Sequence, residues 1–147
     1  MNILTVYVSF HSIGFVLWTG MGLLLPLVFL PAIHALDEPQ RVKMMAELTR
    51  KFLPWFIAGG LAVGVTGWAQ TFMMFDAFGH QPYIYIKHVA VLLLVFVSAF
   101  LWFFWGPKFY KPAADPANLW KWTAVLAWIQ AALSVATLVM CAVMITI

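Results

Sequence analysis

An all-α, up-down bundle of four membrane-spanning helices is the fold class this sequence predicts, and three observations predict it. Apolar residues fill 65% of the 147 positions and charged residues 9%, against about half and about a quarter in soluble domains. Nearly all of the charge is gathered into two stretches instead of being spread along the chain. Between and around those stretches lie four apolar runs, each long enough to supply the roughly 20 residues a helix needs to cross a bilayer. With a mean hydropathy of +0.96, the lipid bilayer is the partner that can cover so much apolar surface.

The first run extends from Ile3 to Ile33 and contains no Asp, Glu, Lys or Arg. It starts without a basic segment and is too long for a cleaved signal peptide, so it is expected to remain as a span. Pro26 and Pro31 predict a kink in its second half, because proline brings no N–H and crowds the preceding turn. The polar stretch from His34 to Lys51 follows. Within it Val42, Met45 and Leu48 recur at helical spacing, which predicts a short interfacial amphipathic helix inside residues 37–50. The second span is read from Phe52 to Phe75, with Pro54 in its opening turn, where a missing N–H costs little. A short polar turn precedes the third span, Tyr83 to Trp105, which Gly106-Pro107 should end. The fourth span runs from Leu119 to Ile147. No internal repeat or low-complexity linker divides the chain, so residues 1–147 are read as one domain.

Orientation follows from the basic residues. Arg41, Lys43, Arg50, Lys51, Lys108, Lys111 and Lys121 belong to the first and third connections and their flanks, whereas Lys87 alone lies toward the other side. Lys and Arg favour the cytoplasmic face. Both termini are therefore expected on the outer, periplasmic side of a bacterial inner membrane. The formal charge of +3 is confined to those connections and offers no nucleic-acid surface. A single cysteine, Cys141, rules out a disulfide within the chain and any cysteine-built metal cluster. Motifs for covalent haem, nucleotide phosphates, zinc proteases and serine hydrolases are all missing, and no paired carboxylates fall inside a span.

Ionisable groups within hydrocarbon are costly and are candidates for function. His11 stands in the first span, and Lys87 and His88 open the third. His34 and His80 fall at span ends, where water reaches them. The first and third spans run in the same direction, which places His11 and His88 at depths differing by roughly 5 Å. In an up-down bundle these spans are diagonal partners roughly 11–14 Å apart. Two imidazoles reaching inward across that gap suit the two axial positions of a haem b. Gly14 and Trp18 share a face with His11 and would adjoin the macrocycle. Lys87 would pair with a propionate or snorkel to the surface. Gly60, Gly64 and Gly67 form a small-residue stripe for close helix packing, or for a flat cofactor. Met21, Met73 and Met74 are the hint of a soft copper site, the alternative cofactor. The near absence of soluble loops also suits a subunit of a homo-oligomer or of a larger membrane complex.

These residues carry a resemblance. FHSIGFVLWTGMGLLLPLVFLPAIH resembles the first helix of the HemJ-like and CopD-like membrane proteins, in which a histidine precedes a Trp-x-Gly and then a proline. ELTRKFLPWFIAGGLAVGVTG is similar to their second helix, and YIYIKHVAVLLLV to their third, with its early lysine. The likeness covers about residues 5–105. It implies that His11 is haem-associated and that Lys87 is the third-helix lysine. For the HemJ-like branch it implies oxidation of protoporphyrinogen IX, and for the CopD-like branch copper uptake or resistance. The fourth span departs from the HemJ-like pattern: NLWKWTAVLAWIQ stands where that branch carries a basic residue and Asn-Glu-x-Pro. His88 rests on the geometric argument alone.

Overall fold

The computed structural model describes residues 3–74, 82–111 and 115–146, with side chains described as far as residue 141. His80 and Phe75 lie outside the described residues. The described residues form four long helices: α1 (Ile3–His34), α2 (Glu38–Met73), α3 (Pro82–Tyr110) and α4 (Pro116–Thr146). All four are long and apolar enough to cross a membrane, and no strand occurs among the described residues. Consecutive helices run antiparallel. One end of the bundle, the terminal end, therefore carries Ile3 and Thr146, and the other carries the connections after α1 and α3.

Each helix start and break has a local cause. Asp37 caps α2 by accepting from the Gln40 N–H at 2.9 Å, and Asp115 caps α4 by accepting from Asn118 at 3.0 Å. The break expected at Pro26 and Pro31 takes the form of a wider π turn, Leu25–Phe29, in which the Leu30 N–H reaches back to the Leu25 carbonyl. Prolines that cannot donate are accommodated by such a turn without ending the helix. A second π turn, Phe100–Trp105, leads α3 into a 3₁₀ turn, Gly106–Tyr110. The helix thus runs past Gly106-Pro107, where the sequence predicted its end.

The largest departure lies in α2. The interfacial helix expected within residues 37–50 and the second span are one continuous helix, and Pro54 sits inside it, not in an opening turn. The reason is what covers the amphipathic stripe. Met45 and Leu48 are buried in the same apolar cluster as Phe109, Leu119 and Trp120, with Val42 packed against it. Thr49 meets Gly106 so closely that a Cβ there would lie 2.7 Å from the threonine methyl. The stripe packs on the last turn of α3, and protein takes the place of lipid. At 36 residues, α2 is about 54 Å long and exceeds the roughly 30 Å hydrocarbon layer.

Packing divides the helices into pairs. Helices α1 and α2 adjoin along their lengths, as do α3 and α4, and α1 also packs on α4. Helix α2 meets α3 chiefly through Gly106–Tyr110 at the loop end. Toward the terminal end the two are less closely packed, and a cavity lies between the pairs. Outward faces remain apolar, with Phe72, Phe96 and Phe104 each at least 70% exposed, as lipid contact requires.

Candidate functional site

The cavity begins with two glycines. A Cβ on Gly14 would lie 2.7 Å from the Ala62 Cβ and 3.0 Å from the Gly59 carbonyl, and one on Gly59 would lie 3.1 Å from the Gly14 carbonyl. Because neither residue has a side chain, α1 and α2 approach backbone to backbone. One turn nearer the terminal end, this approach lays the half-buried His11 ring on α2. Its Cε1 stands 2.9 Å from where a Gly67 Cβ would be.

The ring is oriented by its partners. His11 Nδ1 lies 3.1 Å from the Val63 carbonyl and 3.1 Å from Thr66 Oγ1, while the Thr66 hydroxyl donates to the Ala62 carbonyl. Both partners of Nδ1 therefore act as acceptors, so Nδ1 carries the proton and Nε2 keeps its lone pair. His88 repeats the arrangement. Its Nδ1 donates to the Ile84 carbonyl at 2.7 Å, and Nε2 lies 3.4 Å from Thr71 Oγ1, whose own hydrogen goes to the Gly67 carbonyl. The His88 ring also meets Trp68 edge to face at 5.9 Å. Metal-binding histidines are held in this way, with one ring N–H on a carbonyl and the other nitrogen free.

The two rings approach one face of α2, since Gly67 and Thr71 are four residues apart. His11 borders a cavity of about 460 Å³ lined by all four helices, including Gln70, Thr71, Tyr83, Lys87 and Cys141. An adjoining recess of about 50 Å³ is lined by His11, Gly64, Gly67, Lys87, His88, Thr137 and Cys141. The combined space falls within the roughly 300–1,000 Å³ of small-molecule and cofactor sites. Gln70, which lines the cavity, ties α2 to α1 there, its amide donating to the Tyr7 carbonyl at 3.2 Å.

The structure thus brings His11, His88 and Lys87 to one recess and separates Gly14 and Trp18 from it. Both of the latter had been expected beside a macrocycle. Gly14 lies in the α1–α2 seam, and Trp18 is buried there, edge to face with Phe56 at 5.9 Å. The glycine stripe divides as well: Gly60 faces Trp18, whereas Gly64 and Gly67 line the recess. Of the three methionines, Met74 lines the cavity, Met73 points outward and Met21 packs on the apolar core. Among the described residues no three His, Cys, Asp or Glu side chains gather into a metal site. Sequence reasoning missed Thr66, Gln70, Thr71, Thr137 and Cys141. A signal existed for the last two, because Thr123, Gln130, Ser134, Thr137 and Cys141 recur at helical spacing in an otherwise apolar helix.

Fold and site together define the class: a multi-pass membrane protein, built as an all-α four-helix bundle with a largely apolar cavity, carrying a few polar side chains, inside its terminal end. The chain matches no family model, no curated protein and no solved structure.

Proposed function

We propose that this protein is a small electron-transfer protein of the bacterial inner membrane that binds one b-type haem in this cavity, at the outer face. The observation that carries the reading is the paired orientation of His11 and His88. Each anchors Nδ1–H on a backbone carbonyl, which leaves Nε2 as the nitrogen for ligation, and both residues line one recess. Neutral imidazoles suit the two axial positions of a haem iron. Gly64, where a Cβ would meet nothing within 4 Å, leaves a bare patch for the edge of a flat ring, and Lys87 places a cation beside the recess for a carboxylate. Bound there, the haem supplies a one-electron couple. The chain's own contribution is to anchor both rings through Nδ1 and to flank the recess with Trp68 and Phe15. The distribution of Lys and Arg supports placing the cavity on the periplasmic side.

The visible spectrum of the purified protein tests this reading. A reduced b-type spectrum with one haem per chain is expected. Copper without haem would replace the proposal with copper handling, and neither cofactor would leave a packing subunit. Oxidation of protoporphyrinogen IX, which the resemblance implies, is checked separately by following porphyrin fluorescence with the haem-loaded protein.

A further inference from the structure

Below the cavity, toward the middle of the bundle, α4 carries polar groups that the protein itself does not satisfy. Gln130 and Ser134 are fully buried, and neither amide atom of Gln130 nor the Ser134 hydroxyl has a hydrogen-bond partner. Ser98 of α3 is equally buried and equally unpartnered. It lies at the level of Gln130: Trp105 bonds Thr123 on one side of it, and Lys87 shares a recess with Cys141 on the other, which fixes the antiparallel register. From α1, Gly22 completes the cluster. A Cβ there would lie 3.0 Å from Ser134 Oγ and 3.1 Å from Gln130 Nε2, so both side chains point at a position kept bare. Pro26, four residues on, has no N–H to offer the Gly22 carbonyl.

Amide and hydroxyl groups buried in a membrane core without partners are strongly disfavoured, and water is their usual partner where protein provides none. We propose that Gln130, Ser134, Ser98 and the Gly22 carbonyl bind internal water at the middle of the bundle. This water is continuous, by way of Thr137, with the terminal-end cavity. Thr137 lies one turn above Ser134 and lines the recess. The cluster is neutral, offers both donors and acceptors, and contains no acid or base, which selects water over an ion. Its consequence is a hydrogen-bonded step by which a proton can pass between the cavity and mid-membrane. The inference rests on α4 and its neighbours and not on haem.

The test uses the full chain in lipid nanodiscs, with Cys141 replaced by alanine and single cysteines introduced as Ser134→Cys, Ala127→Cys or Val135→Cys. Silver ion is the probe, because it follows water and captures thiolates, which do not form in a dry apolar core. Ala127 is fully buried one turn from the cluster, within the apolar core, and Val135 faces lipid. Mass spectrometry reads the fraction of each thiol protected from later alkylation under denaturing conditions. Ser134→Cys is expected to react at least tenfold faster than both controls, and adding Gln130→Leu to it should remove that advantage. Circular dichroism and monodisperse elution establish that each variant is folded. A Ser134→Cys thiol as inert as that of Ala127→Cys, or a rate indifferent to Gln130→Leu, would overturn the proposal. Neither result depends on a haem spectrum, so failure here and failure of the cofactor reading are distinguishable.

Discussion

Replacing Gly67 by alanine places a methyl group 2.9 Å from Cε1 and 3.3 Å from Nδ1 of His11. Carbon atoms in good contact sit about 3.5–4.0 Å apart, so the ring must withdraw from α2 by about 0.6 Å or more. Both acceptors that orient Nδ1, the Val63 carbonyl and Thr66 Oγ1, belong to α2 and stand at 3.1 Å. The withdrawal therefore lengthens both bonds beyond the range of a useful hydrogen bond. Losing the anchor costs about 0.5–1.5 kcal/mol, and the crowding costs about 1–3 kcal/mol. The orientation of Nε2 goes with it. Supporting contacts of this kind change metal affinity by about 10–100-fold, and that is the loss expected for haem titrated into the Gly67→Ala apoprotein. Gly20→Ala is the control, because a Cβ there meets nothing within 4 Å; its affinity should equal that of the unaltered chain. Equal affinity and an identical low-spin spectrum in Gly67→Ala would refute the claim that His11 is held by α2 for ligation.

The remaining predictions concern the ligands, the seam and the sidedness. His11→Ala is expected to insert normally, since insertion follows summed apolar length, but to lose haem; a full complement of haem with an unchanged spectrum would remove His11 from the site. His88→Ala should convert a six-coordinate haem to a five-coordinate form, while Lys87→Ala keeps the spectrum and lowers the midpoint potential, because a nearby cation disfavours the oxidised state. An exchange of these two outcomes would make Lys87 the ligand. Gly14→Ala, whose Cβ would meet the Ala62 Cβ and the Gly59 carbonyl at 2.7 and 3.0 Å, should destabilise the bundle by about 1–3 kcal/mol in a thermal or denaturant unfolding measurement. In a background lacking Cys141, a cysteine at Ala35 should be shielded from impermeant thiol reagents added outside cells and one at Gly79, beyond the described residues, should be labelled; the reverse pattern would invert the bundle.

The spans were legible because twenty-residue apolar runs leave a chain few alternatives to crossing a membrane. The irregular turn near Pro26 and the similar depth of His11 and His88 were legible too, since proline chemistry and position along a span are both linear properties of sequence. What escaped was azimuth. His11 and Gly14 are three residues apart, yet one borders the cavity while the other abuts Gly59, a distinction set by which neighbour each side of α1 meets. The continuity of α2 escaped for a related reason. An apolar stripe at Val42, Met45 and Leu48 reads alike whether lipid or the Gly106–Tyr110 turn covers it. The polar groups of α4 are spaced one helix face apart but scattered among so many apolar residues that only the folded bundle shows them sharing an interior.

The glycine seam has a mechanical corollary. Gly14 and Gly59 lock α1 to α2 as one stiff plank, and His11 with all its anchors, Val63, Thr66 and Gly67, rides on that plank. His88, Lys87 and Cys141 ride on the other, formed by α3 and α4. The planks are joined at the loop end, where Gly106–Tyr110 packs on α2, and at mid-bundle, where Gly22 of α1 meets Gln130 and Ser134 of α4. At the terminal end, a metal centre drawing one ligand from each plank would act as a clasp. The bare protein should then breathe there, with amide exchange along Tyr83–Val91 slowing once the clasp is closed.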